Sequence, residues 1–157
     1  MSTSYSQNNM IRRVQVIADY QFGEGAGNVL FPEGCEFTLS RTGRIRQVLQ
    51  GGVRLATVRA EDGRLTLGIE GALRLKRALP PPAYRVVINP EVAEFVGAGK
   101  NAFARHIVSA DRAIRSGDEV MVVCGDDELL ATGSAMMSGG EMLAFNYGVA
   151  VKVRQGR

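Results

Sequence analysis

The stretch VGAGKNAFARH, from Val96 to His106, sets two glycines and a lysine ahead of alternating small, aromatic and basic residues. Glycines let a phosphate approach backbone N–H groups, and a following lysine supplies charge for it. A nucleotide-binding P-loop, GxxxxGK followed by Ser or Thr, is excluded by spacing. Counting back from Gly99-Lys100 puts Glu94 where the first glycine belongs, and Asn101 stands where a hydroxyl must hold magnesium. The order of elements is also reversed. The glycines follow a helical pattern and lead into a strand-like one, so no helix N-terminus faces the loop. GEGAG at 23–27 fails as a dinucleotide fingerprint in a similar way: the third glycine of GxGxxG falls on Asn28, and no strand precedes it. It reads as a helix stop.

Other candidates for chemistry are few. His106 is the only histidine, and a strand reading gives it Ala104 and Val108 as neighbours on an apolar face. It is either a packed or edge histidine, or a group that stacks on RNA or meets phosphate; a catalytic role lacks a nucleophile or carboxylate partner at any suggestive spacing. Cys35 and Cys124 lie far apart and outside any CxxC, which reads as two buried, reduced thiols. One histidine and two cysteines are too few soft ligands for a metal site. No catalytic residue, metal or cofactor is expected.

The basic residues are better placed. Lys100 and Arg105 flank the glycine turn, Lys152 and Arg154 alternate on a terminal strand pattern, and Arg41, Arg44 and Arg46 cluster at one hairpin. Each set reads either as a solvated surface or as part of a polyanion-binding one. Net charge is +3, unevenly spread: residues 1–80 hold 11 Lys/Arg against 7 Asp/Glu, residues 81–157 hold 8 against 9. The second half is segregated, with Asp118, Glu119, Asp126, Asp127 and Glu128 in acidic turns and Lys152, Arg154 and Arg157 at the end.

These residues sit on a chain with an obvious divide. Pro80, Pro81 and Pro82 make a stiff extended link, which places a boundary at about 79–83. The polar start MSTSYSQNNMIRR has no apolar core before its basic pair, so residues 1–10 read as a frayed tail rather than a secretory signal. No apolar run reaches the roughly 18 residues that span a bilayer, and the cytoplasm is the expected compartment, with no membrane partner. Ile11–Phe22 has apolar positions at 11, 14, 18 and 22, one face of a helix. The runs EFTLS, IRQVLQ, VRLATVRA and LTLGI follow, separated by glycine-bearing turns, and EGALRLKRAL returns to helical spacing. Residues 11–79 thus predict a helix, an antiparallel meander and a helix.

After the prolines, YRVVI predicts a strand. NPEVAEFVGAG predicts a helix with Asn89 as cap, Pro90 in the first turn and Gly97 closing it. FARHIV, EVMVVC, LLATGSAMM and GVAVKVR predict strands, with turns at SGDE, GDDE, SGGE and NYG. Short strands with regular turns imply a small barrel. The fold class is α+β: an N-terminal α+β domain over 11–79, then a β pseudo-barrel over 80–157.

Four segments, VGAGKNAFARHIV, ADRAIRSGDEVMVV, ELLATGSAMMSGGEM and GVAVKVR, together resemble the PUA domain, a β pseudo-barrel of RNA-modifying enzymes. ADYQFGEGAG, LSRTGRIRQV and ATVRAEDGRLTLGIEGALRL resemble the module before the PUA domain in archaeal archaeosine tRNA-guanine transglycosylase. The resemblance covers nearly the whole chain after residue 10. That enzyme's catalytic barrel, with its aspartates and zinc-binding cysteines, does not fit in 157 residues, so the resemblance implies a free-standing copy of the RNA-binding end.

The resemblance also implies an RNA groove between the barrel's first helix, the next strand and the last strand. Carried over, that groove holds Gly97, Gly99, Lys100, Asn101, Ala102, Phe103 and Arg105, with Val151, Lys152 and Arg154 opposite. The expected function is non-catalytic binding of structured RNA, tRNA above all, with loop amides and Lys100/Arg105 on phosphates and 2′-hydroxyls. A separate tRNA-modifying enzyme is the expected protein partner. The rival reading is a docking or assembly module, suggested by the acidic turns and by Met136, Met137 and Met142.

Overall fold

The structure is a computed structural model; it describes residues 2–157, with side chains from residue 6. The chain forms two compact units, meeting between Leu79 and Pro80.

The first unit opens with a long helix, α1 (Ser2–Phe22), followed by a short α2 (Ala26–Leu30). Residues 2–10, expected as a frayed tail, continue α1; Met1 lies outside the described residues. The reason is local: no Pro or Gly interrupts 2–22, so polar residues of moderate propensity extend the helix upstream of its apolar stripe. Val14, Ala18 and Phe22 are buried along that stripe. Gly23 and Gly25, both at positive φ, break the helix. The meander then runs β1 (Glu36–Leu39), β2 (Ile45–Gln50), β3 (Val53–Val58) and β4 (Leu65–Leu67), antiparallel and in sequence order. Helix α3 (Ile69–Ala78) closes the unit. Gln21 ties α1 to the sheet edge: its amide donates to the Leu65 carbonyl at 2.9 Å and accepts from the Leu65 N–H at 2.7 Å.

The second unit is a six-stranded sheet curled into a nearly closed barrel. Its strands are β5 (Arg85–Ile88), β6 (Ala102–Phe103), β7 (Ile107–Ala110), β8 (Glu119–Cys124), β9 (Glu128–Ala135) and β10 (Val149–Gly156). Their spatial order is β6-β10-β9-β8-β5-β7, with only β5–β8 parallel. The interior is aliphatic: Val86, Ile88, Val96, Ile114, Val120, Val122, Ala131, Met142 and Val151 pack together. Burying a side chain of this size contributes roughly 1.5–3 kcal/mol, so this cluster holds the strands in register.

Three details differ from the sequence expectations. Asn89 does cap, its Oδ1 accepting from the Glu91 N–H at 3.0 Å, but the helix begins as a 3₁₀ turn at Pro90–Val92 before α4 (Ala93–Gly97). FARHIV is not one strand. A 3₁₀ turn at Ala104–His106 separates β6 from β7, because the chain changes partners there, β6 pairing with β10 and β7 with β5 at the other end of the sheet order. SGGE is not a turn between strands but the start of α5 (Gly139–Ala144). Ser138 Oγ accepts from the Glu141 N–H at 3.1 Å, and the Glu141 carboxylate accepts from the Ser138 N–H at 2.9 Å, a reciprocal capping box.

Candidate nucleic-acid interface

The loop from Gly97 to Asn101 is set by how α4 ends. The Lys100 N–H donates to the Phe95 carbonyl and the Gly99 N–H to the Val96 carbonyl, both at 3.0 Å, and Gly99 has φ +103°. This is a Schellman closure, with glycine at the left-handed position, so Gly99 rather than Gly97 terminates the helix. The N–H groups of Ala98, Gly99 and Lys100 are all donated within the turn, and the anticipated amide cradle for phosphate is closed at these three residues.

The loop lies along the last strand. Asn101 Oδ1 accepts from the Val153 N–H at 3.0 Å, Ala102 pairs with Val151, and Phe103 pairs with Val149. At the strand's end, a Cβ on Gly156 would run into the Gly97 carbonyl, so that strand end must be glycine for the loop to close over it. The fold therefore brings the expected loop and strand residues side by side. It does not present them all. Ala102 and Val151 are buried and face the barrel interior, leaving only their backbone at the rim. Asn101 spends its carbonyl oxygen on β10.

Lys100, Phe103, Arg105 and Lys152 are exposed. No carboxylate lies within ion-pair distance of Lys100, Arg105 or Lys152 among the described residues. Phe103 anchors a small cluster: the Arg105 guanidinium sits 5.8 Å from its ring centroid, and the His106 ring meets it edge-on at 6.4 Å. His106 thus belongs to the 3₁₀ turn and leans on Phe103, instead of lying on an apolar strand face.

Arg154 behaves differently from the lysines. Its two terminal nitrogens each reach a Glu119 carboxylate oxygen at 2.6 Å, a bidentate pair. Glu119 opens β8 and stands in a row across the sheet with Ser134 and Lys152. Sequence reasoning missed this partner because Glu119 reads as part of an acidic turn. The methionines likewise separate: Met142 is buried in the barrel, Met137 packs partly against it, and only Met136 is exposed. Arg41, Arg44 and Arg46 belong to the β1–β2 hairpin of the first unit, where Arg44 and Arg46 line an open groove of about 720 Å³ with Arg13 and Arg59.

Burial pushes the Cys35 and Cys124 thiols above their ordinary pKa, which keeps both protonated near neutrality. Among the described residues, no cluster of His, Cys, Asp and Glu is arranged to hold a metal ion, and no helix is long and apolar enough to cross a membrane.

Comparison with known proteins agrees with this layout. Residues 12–82 match the patch-forming domain C2 of tRNA-guanine transglycosylase, and residues 84–157 match the PUA domain. The chain is 56% identical over 151 residues to a tRNA-guanine(15) transglycosylase of Pyrococcus abyssi, covering 96% of this chain and 26% of that protein. It is 48% identical over 145 residues to the enzyme of Methanothermobacter thermautotrophicus, covering 92% of this chain and 22% of that protein. It thus spans about a quarter of the length of these curated relatives and matches their C-terminal part. Among solved structures, a hypothetical protein of Pyrococcus horikoshii superposes over 93% of this chain and 89% of its own, with a TM-score of 0.73 at 24% identity. A conserved PUA domain protein of Thermoplasma acidophilum covers 95% of this chain and 89% of its own, with a TM-score of 0.66 at 21% identity. The chain is a PUA-domain protein whose first unit is a C2 domain of the transglycosylase type, similar over nearly its whole length to archaeal tRNA-guanine(15) transglycosylases.

Proposed function

We propose that this protein binds folded RNA, tRNA in the first place, without catalysing a reaction, and that it serves as the RNA-binding partner of a separate tRNA-modifying enzyme of the transglycosylase type. The observation that carries the reading is the rim formed by the α4–β6 turn and β10. There Lys100, Arg105 and Lys152 stand exposed, with no carboxylate within ion-pair distance among the described residues. Phosphate contacts from such side chains position an RNA by shape and charge. Gly97 adds support. It is the last helical residue of α4. A Cβ there would meet nothing in the protein, so an approaching ligand is the better reason for its smallness.

The expected groove is retained with its chemistry revised. Lys100, Arg105 and Lys152 make the phosphate contacts, Phe103 offers a ring, and Gly97, Gly99, Asn101, Ala102 and Val151 shape the surface. Arg154 is a restrained cation held by Glu119. The docking alternative loses its methionine surface, since Met142 is core.

The test is equilibrium binding of tRNA by the full chain across a salt series. Binding that weakens steeply with salt, and is lost in a Lys100→Ala/Lys152→Ala double variant, is the expected result. Salt-insensitive binding, or a double variant equal to wild type, would reject the reading. Co-purification of a transglycosylase catalytic chain from native extract tests the partner; its absence, with tRNA modification unchanged on deletion, rejects that half.

A further inference from the structure

Helix α1 is longer than the part of the first unit that supports it. Its anchors lie in its second half. Val14, Ala18 and Phe22 are buried, the Gln15 side-chain amide donates to the Phe31 carbonyl at 2.7 Å, and Gln21 bonds the Leu65 backbone. Upstream of Val14, no residue whose side chain is described is buried, and Arg12 and Arg13 are exposed with residues 6–9. The helix is nonetheless continuous from Ser2. A few uncovered turns of helix are marginal in water by themselves, and a partner laid along them would hold them.

The face of α1 opposite its buried stripe says what that partner is. Val16 and Tyr20, one turn apart, stand on that face, 62% and 94% exposed. Charge is split about Val16. Over residues 6–25 the basic residues, Arg12 and Arg13, precede it, and the acidic ones, Asp19 and Glu24, follow it. Among the described residues, no carboxylate lies within ion-pair distance of Arg12 or Arg13. Asp19 accepts the Gly27 N–H at 2.7 Å, and no cation there neutralises it. Positions 12 and 19 share one flank of the face, and positions 13 and 20 share the other, because seven residues make about two turns.

Such a face is complementary to itself. In an antiparallel pair with its twofold axis beside Val16, like flanks meet and opposite ends of the helix overlap. Arg12 meets Asp19 of the second copy, Arg13 lies over the Tyr20 ring of the second copy, and Val16 meets its twin. Each flank contact is made twice. A parallel pair would set Arg12 against Arg12 and Asp19 against Asp19, and a phosphate backbone would meet the charge of Asp19. We infer that the outward face of α1 is a self-association surface, on which two copies of this chain join as an antiparallel helix pair. The inference goes beyond the RNA-binding reading and does not depend on it. A contact of about three helical turns is smaller than the roughly 1,200 Å² of a stable complex, so the dimer is weak and follows concentration.

Analytical ultracentrifugation of the full chain over a concentration series tests it. The average mass is expected to rise from one chain toward two. Val16→Glu, which sets two carboxylates together on the axis, abolishes the rise. Arg12→Glu turns two attractions into repulsions and weakens the dimer roughly tenfold or more. Thermal melts equal to wild type show that both variants fold. Single added cysteines read the geometry, since the native thiols Cys35 and Cys124 are buried. Val16→Cys forms a disulfide between two chains under mild oxidation. Tyr20→Cys does not, because its twin lies roughly 12 Å away along the helix axis, beyond the reach of about 7 Å between disulfide-bonded Cα atoms. A wild type that stays monomeric, a Val16→Glu dimer as strong as wild type, or crosslinking at 20 equal to that at 16 overturns the inference. A monomer in which Arg12→Glu flattens the salt dependence of tRNA binding assigns the face to RNA and refutes the dimer. In each case the Lys100 and Lys152 test of RNA binding stands apart.

Discussion

The C-terminal barrel holds two bidentate arginine–carboxylate pairs that bury opposite partners. In the first, the Arg85 side chain is 2% exposed and Asp127 is 27% exposed; the guanidinium donates to both Asp127 oxygens, at 3.1 and 3.0 Å, and to the Ala83 carbonyl at 3.0 Å. In the second, Glu119 is 4% exposed and Arg154 is 34% exposed. Position in the sheet explains the inversion. Arg85 begins β5, flanked by β7 and β8, whereas Arg154 lies near the end of β10 and reaches across β9 to Glu119 at the start of β8. A buried charge must be satisfied by the protein, while its more exposed partner can turn to water. The first pair is thus a clamp that keeps a cation inside. The second is a tether on a cation at the surface. Net charge conceals this, because it counts Asp127 and Glu119 as acidic surface when both are committed to arginines.

The largest effect expected from this contrast is on stability. Asp127→Asn removes the charge and retains a residue that tolerates the left-handed backbone at φ +65°. Arg85 then stays charged and buried without its anion, and folding stability falls by roughly 3 kcal/mol. Glu119→Gln leaves an arginine that can hydrate, with a loss of about 1–2 kcal/mol. Chemical denaturation of the two variants side by side measures this. Equal losses would erase the distinction between clamp and tether.

RNA binding sharpens the comparison at the next scale. Releasing Arg154 by Glu119→Gln should add about one phosphate contact. The slope of log affinity against log salt then steepens by about 0.9, and tRNA binds more tightly at low salt. Lys100→Ala and Lys152→Ala should each flatten the slope by a similar amount. Asp127→Asn should leave it alone. A flattened slope in Glu119→Gln would show that the pair supports the rim instead of restraining it.

How much of this could be read in the residues depends on whether a feature is local. The meander, the Asn89 cap and most of the strand runs follow from short-range patterns, and the structure has them. The capping box was equally local. Ser138 and Glu141 have the S-x-x-E spacing, but two intervening glycines, poor helix formers, made SGGE read as a turn. FARHIV breaks for a non-local reason, because β6 pairs with β10 while β7 pairs with β5. The candidate site divides the same way. Strand alternation places Lys152 and Arg154 on one face, yet only the folded sheet brings Glu119 across from β8. The closure at Phe95–Lys100 was visible as glycines, and it was misread as free amides because glycine signals a backbone shape without saying which partner its N–H takes.

Glu141 is the limiting case of the comparison, a carboxylate exposed to solvent and held by no cation among the described residues. Hydrogen bonds from Ser138, its backbone N–H first and its side chain second, hold the Glu141 carboxyl below the ordinary range. A carboxyl whose folded-state pKa is depressed stabilises the fold above its unfolded value, near 4.5, and loses that contribution as pH falls through the folded value. Glu141→Gln keeps the amide oxygen that can accept from Ser138 and discards the titration. Wild type should therefore be slightly more stable than this variant at neutral pH, and the difference should shrink as pH drops below about 4.5. Denaturation midpoints across a pH series test it, and a difference that stays constant would assign the box to geometry alone. The effect is the smallest expected here, because full exposure screens it.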